Sequence, residues 1–239
     1  MRLRLTPARR RGVEILDDPA TPREVRDRSM ADIARSNTLF GGTRSAMQAL
    51  RRVIPRLPRE ATLLDVGTGL GDIPLLARRE AADAGVALTT IGLDVTEFLL
   101  HSARGGVDAV VASDALRLPF RDNSSDVVLC SQLLHHFPEE GARRVVAELH
   151  RVSRGWVVIS DLRRSWLAAG GFWLASVALR FHPVTRHDGV TSVLRGFTTT
   201  ELEGLVHDSI GVRPTVRRGQ FWRISASWSK TTLIADKRR

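Results

Sequence analysis

Residues 63–72, Leu63-Leu64-Asp65-Val66-Gly67-Thr68-Gly69-Leu70-Gly71-Asp72, run from an apolar strand pattern into a glycine turn and then into a helical pattern. In an open α/β sheet, ligands bind at the carboxyl ends of the strands, and glycines in such a turn let the backbone approach the ligand closely. The segment therefore implies a nucleotide-like cofactor. Dinucleotide folds space their glycines G-x-G-x-x-G, whereas Gly67, Gly69 and Gly71 read G-x-G-x-G, and Asp72 stands where the last glycine would fall. An acid at a helix entrance repels a pyrophosphate but not a cofactor that carries a sulfonium and an ammonium group.

The units that follow sharpen this. Asp94 ends the run Ile91-Gly92-Leu93-Asp94, 23 residues beyond Gly71, where a carboxylate can accept hydrogen bonds from both hydroxyls of a ribose. Asp114 follows Val110-Val111-Ala112-Ser113, where a carboxylate can accept from an exocyclic adenine amine while the Ala115 N–H meets a ring nitrogen. Taken singly, each acid serves equally well as a cap or a solvated turn residue. Their recurrence at successive strand ends favours a cofactor site.

Short apolar runs at 61–66, 87–93, 108–112, 126–130 and 156–160 alternate with amphipathic stretches, clearest at 73–84, 96–103 and 139–151. This alternation predicts a parallel, doubly wound α/β sheet. Upstream, apolar residues recur at helical spacing over 24–37 (Val25, Met30, Ile33) and 43–57 (Met47, Leu50, Val53, Ile54), interrupted by Gly41-Gly42. They predict a two-helix N-terminal cap within residues 1–58, ahead of a main domain over 59–239. Residues 1–23, with Pro7, Pro19 and Pro22, read as irregular surface chain without visible chemistry. Downstream, a helix over 199–208 with Thr200 as its cap candidate precedes extended runs at 212–217 and 221–228, joined through Arg218-Gly219-Gln220 as a closing hairpin.

With 239 residues, 43% of them hydrophobic and 26% charged, the chain is neither disordered throughout nor divided into two equal domains. The single cysteine, Cys130, excludes an intramolecular disulfide, and Met1-Arg2-Leu3-Arg4-Leu5-Thr6-Pro7 lacks an apolar leader run, so the expectation is a cytoplasmic protein. A net charge of +10 raises nucleic acid or an anionic membrane as partners. All but Lys230 and Lys237 of the 36 basic residues are arginine, however, scattered and without the aromatic interleaving that stacks bases. Nucleic acid is therefore disfavoured.

Residues 65–71, Asp94, Asp114-Ala115 and the segment Ser125-Asp126-Val127-Val128-Leu129-Cys130-Ser131-Gln132-Leu133-Leu134-His135-His136 together resemble class I S-adenosylmethionine-dependent methyltransferases, over about residues 60–230. Within that superfamily, Leu116-Arg117-Leu118-Pro119-Phe120, Asp126 and Leu134-His135-His136-Phe137 are similar to the group that modifies quinones and other small molecules. The resemblance implies a Rossmann-like seven-stranded sheet with an antiparallel last strand, S-adenosylmethionine as cofactor and S-adenosylhomocysteine as product. By position, it implies that Asp65, Gly67 and Gly69 line the methionine part, with Ser131 at the end of the fourth strand. Asp94 and Val95 would then hold the ribose, Asp114 and Ala115 the adenine, and Arg44 the cofactor carboxylate.

Methyl transfer from a sulfonium is an in-line displacement on an electrophile that is already activated, so alignment of the acceptor alone supplies about 7–11 kcal/mol. For a hydroxyl acceptor, a neutral histidine that removes the proton adds about 10²–10⁴ in rate. The candidate bases are His135, His136 and His187, although His135 or His136 can equally cap the loop after the fourth strand. His182, His187 and Asp188 on a glycine-bearing loop are too sparse for a metal site, so no metal is expected. No G-x-S-x-G hydrolase elbow occurs.

The insertion over about 163–197 carries an uncharged run of 14 residues, 166–179, flanked by Arg163-Arg164 and Arg180. A bilayer span needs about 20 residues, so this run predicts a helical substrate lid or an interfacial helix in peripheral membrane contact, or else an ordinary buried helix. A lid of this composition favours an apolar or aromatic small-molecule acceptor. His187-Asp188-Gly189, Arg195-Gly196-Phe197-Thr198 and Glu201-Leu202 also resemble bacterial methyltransferases of phenolic or polyketide metabolites, which points to secondary metabolism. O-methylation leads, with C-methylation of a quinone-like ring beside it. Two rivals stand. An RNA methyltransferase is opposed by Ser131-Gln132-Leu133-Leu134, where an Asn/Asp-Pro-Pro-Tyr-like motif would present an amine, and by the absence of any tyrosine. The other is a non-catalytic protein that binds S-adenosylmethionine.

Overall fold

The computed structural model describes residues 6–10, 12–18 and 20–230; residues 1–5 and 231–239, which hold most of the segment Met1–Pro7 and the basic run Lys237-Arg238-Arg239, lie outside them, as do residues 11 and 19. In chain order the described residues form α1 (Arg23–Leu39), α2 (Gly42–Leu50), β1 (Glu60–Val66), α3 (Asp72–Asp83), β2 (Ala87–Asp94), α4 (Glu97–Ala103), β3 (Ala109–Ala112), β4 (Ser125–Ser131), α5 (Glu139–Val152), β5 (Ser153–Leu162), α6 (Trp166–Ala178), α7 (Pro183–Arg195), α8 (Thr199–Ile210), β6 (Thr215–Arg218) and β7 (Arg223–Ser229). The seven strands lie in the order β3-β2-β1-β4-β5-β7-β6. Only β7 runs opposite to the other six strands, as expected from the resemblance.

Successive residues of the central strands face opposite sides of the sheet, and both sides are covered, which is why these strands read as nearly continuous apolar runs. Leu64, Val128, Cys130 and Val157 pack on α5 and α8 through Val145, Leu149, Leu202 and Val206. Their neighbours Leu63, Val127, Leu129 and Val158 pack on α2 and α3 through Met47, Leu50, Ile73 and Ala77. The strand order reverses between β1 and β4, so the crevice at their carboxyl ends is the topological switch point at which a doubly wound sheet binds its ligand.

Several local expectations change. The helix expected over 43–57 stops at Leu50, and Pro55 falls in a separate 3-10 turn, Ile54–Arg56, since proline cannot donate to a continuing helix. The strand expected from 212 begins at Thr215, just past Pro214. Thr198, not Thr200, caps α8: its hydroxyl accepts from Glu201 N at 3.2 Å, and the Glu201 carboxylate accepts from Thr198 N at 2.8 Å. The glycine-bearing loop expected around Arg186-His187-Asp188-Gly189 is the middle of α7, which starts at Pro183 under a cap from His182. Helix α1 buries Ser29 and Asp32 more deeply than its apolar residues. Asp32 Oδ2 accepts from His182 N at 2.7 Å, which ties α1 to the start of α7.

The N-terminal chain, expected to lie irregularly over the surface without chemistry, is instead strapped across α7. The buried Asp188 carboxylate accepts from Ile15 N and Leu16 N, both at 2.9 Å, and Arg195 Nη1 donates to Glu14 Oε1 at 2.9 Å. The cause lies in α7. A buried carboxylate and a buried guanidinium need partners, and the strap supplies backbone donors and an acid.

Candidate active site

At the end of β1, Gly67 and Gly69 have φ of +75° and +55°, in the left-handed region that disfavours other residues. A side chain at Gly69 would meet nothing within 4 Å, so the loop opens on free space at this point. Thr43 Oγ1 donates to Asp72 Oδ2 at 2.9 Å, which brings the first turn of α2, and the exposed Arg44 beside it, next to the glycine loop.

The acids expected to hold the cofactor surround this opening. Asp94 is buried at the end of β2; its Oδ2 accepts from Gly69 N at 3.1 Å and its Oδ1 from Thr96 N at 2.9 Å, with Val95 exposed beside it. Asp114, exposed beyond β3, accepts from Leu116 N at 2.9 Å, and Ala115 next to it is buried. Asp65 is buried under the loop, and complete burial, helped by the neighbouring Asp72 and Asp94 carboxylates, pushes its carboxyl up to about 7. Asp65 Oδ1 and Ser131 Oγ are buried without a hydrogen-bond partner. A buried carboxylate oxygen and a buried hydroxyl, each without a partner, beside an open glycine turn fit the ammonium-bearing end of S-adenosylmethionine, the cofactor that the resemblance implies.

The sign of the Asp65 shift gives a test. A carboxyl raised in the folded state favours folding while neutral, so its contribution is complete below the ordinary 3.8 and is lost as pH rises through about 7. The ligand-free protein is expected to lose stability from this group across that window, while affinity for a cationic cofactor rises over it. Asp65→Asn is expected to flatten both trends, read by thermal melts and calorimetric titration at about pH 5.5 and 7.5. Cofactor affinity independent of pH in the unaltered protein counts against Asp65 as the ammonium's partner.

Past β4 the chain turns through Gln132, whose φ of +53° is unusual for a residue with a side chain. Its Oε1 accepts from Arg223 Nη1 at 2.6 Å, and Arg223 Nε donates to Phe40 O at 3.0 Å. Burial pushes this guanidinium, supplied by β7, down to about 10. His135 follows in a 3-10 turn, Leu134–His136. Its Nδ1 lies 2.7 Å from Asp161 Oδ1 and its backbone N donates to Oδ2 at 3.2 Å, both partners being buried. Burial would raise Asp161, but its interaction with His135 and the hydrogen bond from Leu162 N hold it below the usual carboxylate range.

His136 stacks on His135 with ring centroids 4.3 Å apart, and its Nδ1 lies 3.4 Å from Asp17 Oδ1 and 3.9 Å from Glu14 Oε2. Burial disfavours its charged form, yet the hydrogen bond with Asp17 and the Glu14 charge raise its pKa overall. His187 lies on α7, with Nδ1 2.8 Å from Asp188 Oδ1.

The His182, His187 and Asp188 trio is not assembled for a metal: Asp188 is occupied by the strap and His182 caps α7. Among the described residues, Glu14, His135 and His136 bring ligand atoms within 4.8 Å of one another. In that group Glu14 is already paired with Arg195, and His136 with Asp17. Gln132, Asp161, Arg223, Glu14 and Asp17 carry no assigned role in the sequence reading, because their partners lie far along the chain.

Residues 64–159 match a family model described as a methyltransferase domain. The ubiquinone biosynthesis O-methyltransferase of Thiobacillus denitrificans is 29% identical over 213 residues, covering 79% of this chain and 84% of that protein. A 24-methylenesterol C-methyltransferase of Arabidopsis thaliana is 36% identical over 94 residues, which are 38% of this chain and 25% of that one. Among solved structures, a plantazolicin methyltransferase in complex with S-adenosylhomocysteine superposes with a TM-score of 0.61 at 14% identity, over 87% of this chain and 77% of that chain.

Proposed function

We propose that this chain, a class I S-adenosylmethionine-dependent methyltransferase, methylates a hydroxyl of a small, lipophilic aromatic acceptor with His135 as the base. Bound S-adenosylmethionine supplies the methyl group on an activated sulfur, which leaves the protein to align the acceptor and remove its proton. The observation that carries the reading is the His135–Asp161 pair at the carboxyl ends of β4 and β5. With Nδ1 committed to Asp161, Nε2 is the nitrogen left to take the hydroxyl proton, and the Asp161 charge offsets the one the ring gains. His136 is a poorer base because Asp17 and Glu14 already favour its protonated form.

The acceptor's apolar part is assigned to the aromatic side chains that α6 and its neighbours bring together at the inner face of that helix. There Phe172 stands edge-on to Phe40 with centroids 5.7 Å apart and lies 6.5 Å from Phe181, so α6 and α7 form an aromatic-lined lid next to α1. Similarity to a ubiquinone O-methyltransferase supports a phenolic acceptor.

The test is turnover of labelled cofactor against phenols and hydroquinones with lengthening alkyl chains, alongside RNA transcripts. Label is expected on oxygen, with kcat/KM rising about fourfold for each methylene buried, the equivalent of about 0.8 kcal/mol. Turnover of RNA or of polar acceptors alone sinks the reading. Label on a ring carbon replaces it with the C-methyl chemistry named for the sterol relative.

A further inference from the structure

The α6 helix is uncharged from end to end, yet much of it faces solvent. Trp166, Leu167, Trp173, Leu174 and Val177 are 43%, 58%, 53%, 66% and 39% exposed. At about 100° per residue these five positions fall on one arc of roughly 120°. The opposite arc carries the buried Ala168, Ala169 and Ser176, together with Phe172, which lies against Gly189 of α7. One face of α6 therefore closes over the protein, and the other presents two indoles and three aliphatic side chains to the outside. No helix among the described residues is long and apolar enough to cross a membrane.

The surroundings of this face are cationic. Of the five arginines between residues 163 and 200, Arg164 and Arg195 are buried and paired with Glu201 and Glu14, which leaves Arg163, Arg180 and Arg186 against one acid, Asp188, whose carboxylate is buried beneath the strap. The Arg10 guanidinium lies 5.0 Å over the Trp166 ring, and Arg180 is exposed just past the end of α6. Beside Trp173 opens a groove of about 730 Å³ whose lining includes Arg10, Arg186 and His187 and no carboxylate. Tryptophan prefers the headgroup level of a bilayer, and an apolar helical face bordered by arginines is the pattern of helices that lie in that plane.

We propose that the outer face of α6, with Arg10, Arg180 and Arg186 around it, docks on the surface of an anionic phospholipid bilayer. The helix lies flat, its indoles and leucines enter the headgroup boundary, and the arginines meet lipid phosphates. The inference rests on this face alone and does not depend on which acceptor the enzyme methylates.

The experiment is co-sedimentation of the full chain with vesicles of phosphatidylcholine alone and of phosphatidylcholine with about one third phosphatidylglycerol, at low and high salt. Binding is expected to be about tenfold or more tighter to the anionic vesicles and to weaken with salt. The double variant L167E/L174E, whose two side chains are more than half exposed, is expected to keep its thermal melt and its S-adenosylmethionine affinity while losing the vesicles. Equal binding to both compositions, binding that the double variant retains, or binding to neither overturns the proposal. So does a wild-type dimer in sedimentation velocity that the double variant dissolves, since the face is then covered by a second copy of the chain.

Discussion

Replacing Asp94 with alanine is expected to weaken S-adenosylmethionine binding by about two to three orders of magnitude. Hydrogen bonds to a charged acceptor are each worth about 1.5–3 kcal/mol, and a ribose diol donates two. The same carboxylate holds Gly69 N at 3.1 Å and Thr96 N at 2.9 Å, so its removal also loosens the turn that frames the cofactor. Asp94→Asn separates the two roles. It keeps one acceptor oxygen for the glycine turn but presents a donor where the second ribose hydroxyl needs an acceptor, so an intermediate loss of about tenfold is expected. Calorimetric titration with S-adenosylmethionine and S-adenosylhomocysteine measures both. Unchanged affinity in Asp94→Ala removes the ribose assignment.

The second large effect concerns His135. His135→Ala is expected to lower kcat by about 10²–10⁴, the range for loss of a positioned base, while cofactor affinity changes little. Because His135 is buried and bonded to Asp161, His135→Gln provides a variant that fills the same space. Asp161→Asn leaves the imidazole in place but offers an amide where a carboxylate accepted the Nδ1 proton. It is expected to lower kcat by about tenfold to a hundredfold and to shift the acid limb of the pH–rate profile, which a purely structural role does not do. His136→Gln serves as the contrast, with kcat close to the unaltered enzyme. Full activity in His135→Gln on a phenolic acceptor means that alignment alone drives the reaction.

What could be read from the sequence was local. The glycine turn, Asp94 and Asp114 each announce themselves within a few residues of a strand end, and the strands fell within a few residues of their bounds because their burial on both faces leaves a continuous apolar run. The site's second half depends on partners far apart in the chain. Asp161 lies one residue past the run read as the fifth strand, and its partner His135 is 26 positions away. Arg223 reaches Gln132 across 91 positions, and nothing near Arg223 marks it as other than one arginine among many. The strap looked like irregular chain because its organising groups, Asp188 and Arg195, belong to a helix more than 170 positions later. That helix was itself hidden by Gly189, a poor helix former that is tolerated where Phe172 packs against it.

The position of β7 bears on how the molecule is made. It inserts between β5 and β6, so the edge of β5 gains its neighbour only after residues 223–229 have left the ribosome. Until then the nascent chain exposes an unpaired strand edge, the template along which partly made chains stick to one another. The same late strand delivers Arg223 to Gln132 and Phe40, so the turn after β4 stays without its buried cation until residue 223 has been made. The glycine turn, Asp94 and Asp114 lie upstream of this late contact, whereas the turn that carries His135 waits for it, so the two sides of the cleft are completed at different times during synthesis.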